Sequence, residues 1–143
     1  MANIHDDNCI FCKIIAGEIP CHKIFEDEHV LAFLDIGPIA KGHALIIPKY
    51  HASEITELPS DFSAACGRVL PKISTAIQTV TECPAFNVLQ NNGALSGQAV
   101  MHVHFHIIPR YTTETGLKYN WTPGQLSSDF ALELRDKIIA KLS

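Results

Sequence analysis

The chain lacks any apolar run that approaches the roughly 18 residues of a membrane-spanning helix. Residues 1–7 are polar and acidic, and no basic region there leads into an apolar one. We therefore expect neither a membrane span nor a standard secretory signal.

Positive charge is also scarce, with 11 lysines and arginines against 15 aspartates and glutamates and a net charge of −4. Such a chain has no broad basic surface, so we expect no sequence-independent binding of nucleic acid. The five cysteines are an odd number in a chain long enough to bury a core, which argues against a disulfide framework. These features favour a cytoplasmic, reduced protein.

Internal repeats, low-complexity tracts and linkers are absent from the sequence as well. At 143 residues, of which 47% are hydrophobic and 18% charged, the composition is ordinary for a globular protein. The sequence predicts a single domain over residues 1–143.

A histidine-rich stretch stands out against this background. Residues 97–110 contain His102, His104 and His106, each separated from the next by one apolar residue. A period of two is typical of a half-buried β-strand, and it predicts that the three imidazoles share one face while the other face packs on the core. One histidine in a strand is usually structural, but three in strict alternation indicate a functional site.

A loop precedes this strand, because residues 91–98 are rich in glycine and asparagine. Glycine lets backbone N–H groups approach an anion closely, so the loop is suited to holding a phosphate. By itself the composition fits an ordinary hairpin turn equally well. The neighbouring histidines favour the anion.

Cys9 and Cys12 are separated by two residues, the spacing of one arm of a zinc site or of a redox pair. A thioredoxin-like redox motif needs a βαβ context, which this region lacks. Two structural cysteines remain an alternative, and a zinc site needs two more ligands elsewhere in the chain.

Periodicity and turn residues predict an α+β fold, with an antiparallel sheet of about five strands and helices on one side. Ser60 is expected to cap the longest helix, which should run to about residue 80, and Pro71 to kink it. Helical spacing places the core-facing residues of that helix at Phe62, Ala65, Cys66, Val69, Leu70, Ile73, Ala76, Ile77 and Val80. Three further strands are expected over 24–26, 30–34 and 41–48, a fourth over 86–90, a short helix over 9–17 and a final helix after residue 127.

The stretch from His102 to Ile108 resembles the signature of the histidine triad (HIT) family, His-φ-His-φ-His-φ-φ with φ apolar. The likeness runs over most of the chain, and it is to the Hint-type branch that carries an N-terminal Cys-x-x-Cys. The resemblance implies a HIT-like fold that forms homodimers, with Trp121 and the C-terminal segment near the partner's active site. It also implies a purine nucleotide as substrate.

The resemblance implies a nucleotidyl hydrolase or transferase that acts on nucleoside phosphoramidates through a covalent nucleotidyl-histidine. His104 would be the nucleophile, since a neutral imidazole can attack phosphorus. His106 would donate to the phosphate oxygens, and His43 would orient His104. The nucleotide-binding positions implied by the resemblance are Phe11, Phe33, Asp35, Ile36, Asn91, Gly97, Gln98 and Ala99.

The bacterial-style relatives pair the two cysteines with a loop histidine and the first histidine of the triad, here His51 and His102. Cys9, Cys12, His51 and His102 would then form a structural Zn²⁺ site, since all four positions are protein ligands. The chain departs from the family at Ala99, where relatives often carry a hydroxyl, so a leaving-group preference does not carry over.

Three alternatives stay open at this point. The same chemistry with another leaving group would make the protein a dinucleoside polyphosphate hydrolase. The three strand histidines could instead ligate the metal of a redox enzyme. A zinc-stabilised module that binds nucleotides without turnover is the third, although binding alone does not need a free central histidine.

Overall fold

The computed structural model describes residues 5–113 and 116–142. The strands are β1 (Lys23–Glu26), β2 (Val30–Leu34), β3 (Ala44–Pro48), β4 (Ala85–Gln90) and β5 (Phe105–Arg110), and the α-helices are α1 (Ile10–Ile15), α2 (Ser60–Thr81) and α3 (Ser128–Leu142). Within these described ranges, no helix is both long and apolar enough to cross a membrane.

The five strands form one antiparallel sheet in the order β1-β2-β3-β5-β4. This confirms the predicted α+β fold with a five-stranded antiparallel sheet. The interior strands β2 and β3 are buried along almost their whole length, which explains why their sequences are continuous apolar runs rather than alternating ones.

The two faces of the sheet support different parts of the protein. Side chains on successive strand residues point to opposite faces, so Ala32 and Ile46 pack with α2, while Phe33 and Ile47 pack with α1. The long helix therefore covers one face of the sheet and the cysteine-bearing helix covers the other, so the prediction that the helices lie on one side of the sheet is wrong. The histidines lie on the α1 side.

Two details of α2 differ from the sequence prediction. Pro59 occupies the N-cap position without a side-chain hydrogen bond, and Ser60 is the first helical residue, so the predicted Ser60 cap is wrong. Ala76 and Val80 are exposed rather than core-facing, and both line a cavity beside Ile24 and Leu34 of the sheet instead of packing into the core. The helix continues through Pro71, which lies on its exposed side, where water can satisfy the carbonyl that proline leaves unpaired.

The final helix presents apolar side chains to solvent. The Ser127 hydroxyl accepts from the Phe130 N–H group at 3.4 Å, which confirms the predicted start of this helix. Phe130, Leu134 and Ile138 lie on one face at a spacing of four residues and are 42–56% exposed. None of the residues of α3 is buried in this chain.

The histidine strand begins later than predicted. β5 starts at Phe105, so only His106 lies in the strand, and His102 and His104 belong to the segment that approaches it. The alternation nevertheless persists, since Val103 packs into a small core beside α2 and Ile107 into the main one. The three imidazoles remain together on the α1 side, where His104 and His106 have ring centroids 4.9 Å apart.

Candidate active site and metal cluster

Four side chains from three distant parts of the chain converge beside α1. The Sγ atoms of Cys9 and Cys12 and one nitrogen each of His51 and His102 lie within 4.8 Å of one another. The His102 Nδ1 atom is 3.4 Å from the Cys9 Sγ and 3.6 Å from the Cys12 Sγ, and the His51 Nδ1 atom is 3.5 Å from the Cys12 Sγ. The structure thus brings together all four residues of the predicted metal set.

These distances fit a tetrahedral metal ion. Ligands at about 2.3 Å for sulfur and about 2.0–2.1 Å for nitrogen stand roughly 3.6 Å apart across such an ion. The His102 Nε2 atom donates to the Pro48 carbonyl at 2.9 Å, which directs the Nδ1 lone pair at the thiols. Burial raises the pKa of the Cys12 thiol to about 11, so a bound cation is what would stabilise its thiolate. This cluster can hold a metal ion.

The central histidine is held in one tautomer. The His104 Nδ1 atom lies 2.7 Å from the His102 carbonyl oxygen. A carbonyl only accepts, so Nδ1 carries the proton and Nε2 carries the lone pair. The His104 ring also contacts the edge of Phe11, with centroids 5.1 Å apart, and is 6% exposed. Its Nε2 atom therefore carries the lone pair, which is the form of imidazole that can act as a nucleophile.

The third histidine is held in the opposite tautomer by a chain of hydrogen bonds. The Ile39 N–H group donates to the His43 Nδ1 atom at 3.3 Å, so His43 carries its proton on Nε2 and donates it to the His106 Nδ1 atom at 2.9 Å. His106 consequently presents an Nε2–H donor. The sequence prediction had His43 orienting His104, whereas its hydrogen bond goes to His106.

All of these imidazoles are neutral at pH 7. Burial lowers the pKa of His104 and of His43, and the Asp35 carboxylate, whose Oδ2 is 3.5 Å from the His43 Nε2, opposes part of that effect. Burial lowers the pKa of His106 to about 4, and the neighbouring His104 and His43 add to the shift. A neutral His104 is the form that has a lone pair to donate.

The aromatic and acidic residues expected to bind the nucleotide surround this site. Phe11 and Phe33 are buried and meet edge to face, with ring centroids 5.8 Å apart. Ile36 is 89% exposed in the turn after β2. The Asp35 carboxylate accepts from the Gly37 N–H group at 2.8 Å through Oδ1, and its Oδ2 faces His43.

Gln98 uses its side-chain amide within the protein. Its Nε2 group donates to the Ser53 carbonyl at 2.7 Å and the Val100 carbonyl at 2.9 Å, and its Oε1 accepts from the Gly93 N–H group at 2.7 Å. Both amide hydrogens are therefore engaged by backbone, and Gln98 braces the loop rather than offering a free donor to a phosphate.

The rest of the loop after β4 is turned tightly by its glycines. Gly97 has φ +98°, and its N–H group donates to the Ala94 carbonyl at 3.0 Å, so this particular N–H is not free for an anion. Asn91 is partly buried beside Gly97, and Ala99 is exposed. The loop is thus a compact turn, and Ala99 at its end lines a pocket together with Cys9 and His51.

The sequence prediction included His43 as an orienting residue but assigned it to the wrong histidine, and it did not include Asp6. His43 precedes β3, and the register pairs Leu45 with His106, which makes His43 a diagonal neighbour of His106. This register is set by tertiary packing, and no local sequence pattern predicts it. Asp6, which faces His51, could have been noticed as a turn residue before Cys9.

Comparison with known proteins assigns the family. A HIT domain model matches residues 16–113. The chain is 50% identical to "Protein hit" of Bacillus subtilis over 80% of this chain and 79% of that one, and 42% identical to "Adenosine 5'-monophosphoramidase HNT1" of Saccharomyces cerevisiae over 96% and 84%. A crystal structure of a HIT family protein from Bacillus anthracis superposes with a TM-score of 0.92 at 43% identity, over 96% of this chain and 99% of that one. With the complete histidine motif folded as described, the chain belongs to the HIT domain family.

Proposed function

We propose that this protein is a HIT-family nucleotidyl hydrolase or transferase that cleaves nucleoside phosphoramidates or related purine nucleotide conjugates and releases the nucleoside monophosphate. The carrying observation is the tautomer of His104, whose Nδ1–H is bound by the His102 carbonyl at 2.7 Å, leaving Nε2 as a neutral base. The yeast relative named as an adenosine 5'-monophosphoramidase supports the same substrate class.

In the first step, the His104 Nε2 atom forms a bond to the α-phosphorus as the P–N bond breaks, and the departing nitrogen takes a proton from solvent to leave as an amine. The His106 Nε2–H group, backed by His43 at 2.9 Å, donates to the phosphate oxygens on which charge develops. Water then attacks the phosphorus of the nucleotidyl-histidine, which releases the nucleoside monophosphate and restores His104. The net reaction consumes one water and yields an amine and the monophosphate.

The nucleotide would lie across the α1 side of the sheet. The base would pack among Phe11, Phe33 and Ile36, and the ribose hydroxyls would bind Asp35, whose Oδ2 faces this site. The phosphate would lie near Asn91, Gly97 and Ala99, with Gln98 bracing the loop through its backbone hydrogen bonds.

The metal cluster would hold zinc in a structural role. Two thiols and two imidazoles are a donor set that zinc prefers, and all four positions are taken by the protein. The geometry disfavours a redox enzyme with three histidine ligands, since His102 turns to the cysteines, His106 to His43, and His104 lies in neither group.

We further infer that the protein is a cytoplasmic homodimer in which each chain forms a single HIT domain over residues 1–143. We expect no nucleic acid as a partner. The exposed apolar face of α3 and the position of β4 at the edge of the sheet support association with a second copy. A reduced compartment suits the paired thiols of Cys9 and Cys12.

The test is turnover of adenosine phosphoramidate by the wild type and by His104→Ala, beside diadenosine polyphosphates as competing substrates. We expect faster turnover of the phosphoramidate, loss of turnover in His104→Ala with nucleotide binding retained, and a phosphohistidine adduct at residue 104 by mass spectrometry. Full activity of His104→Ala would refute the covalent mechanism. Preference for the dinucleotides would make the protein a polyphosphate hydrolase instead.

A further inference from the structure

The two histidines of the metal cluster use their rings in the same way. Each directs Nδ1 at a thiol, which leaves Nε2–H on the far side of the ring. In His102 that group donates to the Pro48 carbonyl at 2.9 Å, deep in the protein. In His51 it faces the Asp6 carboxylate, with 3.6 Å between Nε2 and Oδ2.

The Asp6 side chain is held in this orientation by the turn that leads into α1. Its Oδ1 accepts from the Asn8 N–H group at 2.8 Å, and its backbone carbonyl accepts from the Cys9 N–H group at 3.0 Å. Its own N–H group donates to the Cys12 Sγ at 3.3 Å. One residue therefore contacts two members of the cluster, Cys12 through its backbone and His51 through its carboxylate.

His51 needs such a partner because it lies on the side of the cluster that is open to solvent. A pocket of about 340 Å³ is lined by both Cys9 and His51, with Asp6 and Ser53 on its wall. The His51 side chain is 16% exposed there. Without a fixed acceptor, its ring N–H would turn to water and the ring would be free to leave the metal position.

We propose that Asp6 is a positioning residue of the metal site, whose carboxylate orients His51 and polarises its ring N–H toward tighter metal binding. This rests on the proposed metal site. Carboxylates that accept from the distal nitrogen of a ligating histidine typically raise metal affinity by roughly 10–100-fold.

The experiment titrates the metal-free wild type, Asp6→Asn, Asp6→Glu and Asp7→Asn with Co²⁺ against a chromophoric chelator at constant pH. Asp7→Asn is the matched control, because it removes the same charge one residue away, and the Asp7 side chain is 96% exposed and lies beside His5 rather than His51. We expect Asp6→Asn to lose about ten-fold or more in affinity, Asp6→Glu to recover much of that loss, and Asp7→Asn to stay within about two-fold of the wild type.

Two further readouts separate positioning from general stability. The d–d absorption bands of bound Co²⁺ should change in Asp6→Asn, since they report the orientation of His51, whereas the melting temperature of the metal-free protein should not. Equal affinities for Asp6→Asn and Asp7→Asn, or a loss explained by a less stable metal-free fold, would overturn the inference. A wild type that binds no Co²⁺ would refute the metal site itself.

Discussion

At the scale of single residues, the site depends on which nitrogen of each imidazole carries the proton. His104 and His106 lie side by side, yet one presents a lone pair and the other an N–H donor, because a carbonyl holds the first and His43 holds the second. The same burial that fixes these hydrogen bonds also keeps the rings neutral, since it penalises the charged form.

This predicts that acid weakens the fold through His106. Burial lowers the His106 pKa from 6.5 to about 4. Below pH 6.5 this histidine is therefore protonated in the unfolded chain but still neutral in the folded chain. The free energy of unfolding should then fall as the pH drops from 6.5 toward 4. The groups that face His106 are His43, His104 and Asp35. In His106→Asn, whose amide oxygen can accept from His43, chemical denaturation should show a shallower loss of stability over this range. An unchanged slope would contradict the prediction.

At the scale of elements, the start of β3 positions His43. Gly42 has φ +91°, and a Cβ atom there would lie 2.9 Å from the Thr81 Cγ2 and 3.2 Å from the Pro109 Cγ. The end of α2 and the strand β5 thus press on the backbone just before His43, and only glycine fits this approach. The geometry of the His43–His106 pair follows from that packing.

Gly42→Ala should therefore destabilise the protein by about 1–3 kcal/mol and lower turnover by displacing His43. Gly67→Ala is the control, because a Cβ atom there would meet no atom within 4 Å. Alanine has a higher helix propensity than glycine, so we expect this change within α2 to raise the free energy of unfolding by roughly 0.5–1 kcal/mol. Thermal and urea unfolding measure both effects. If Gly42→Ala changes neither stability nor turnover, the contact between α2 and β5 is more deformable than the structure implies.

At the scale of the whole molecule, the metal cluster joins parts that are far apart in sequence. Cys9 and Cys12 lie at α1, His51 follows β3, and His102 precedes β5, so one ion would connect the N-terminal segment to the sheet and to the segment that carries His104. Binding to the folded state alone stabilises that state by mass action. The metal cluster therefore lies next to His104.

Removal of the metal should lower the melting temperature by roughly 5–10 °C at a free metal concentration of about 100 Kd. Cys9→Ser should bind less than one metal per chain and melt near the chelated wild type. Cys21→Ser, whose thiol lies outside the cluster, should keep its metal. Elemental analysis measures the metal content, and calorimetry with and without chelator measures the melting temperature. If the chelator does not change the melting temperature of the wild type, the metal is not structural.

The sequence predicted much of this protein because its signals are local. Alternation in the histidine stretch, the Cys9–Cys12 spacing and the apolar runs of β2 and β3 each reflect one element and its period. Less local features were mistaken: Val80 shares the helical spacing of the core residues, yet it is 82% exposed and lines a cavity beside Ile24 and Leu34. The prediction of a single domain over residues 1–143 stays a prediction.

By itself, the sequence determined the sheet, the helices, the family motif and the residue types of a metal set, since these depend on chemistry within a few residues. Only the tertiary structure decided the pairs. It paired His43 with His106 rather than His104, directed the Gln98 amide to backbone carbonyls, started the regular strand only at Phe105 and placed Asp6 against His51. Each of these depends on register or on packing between distant segments, where a shift of one residue exchanges every partner and leaves the local pattern unchanged.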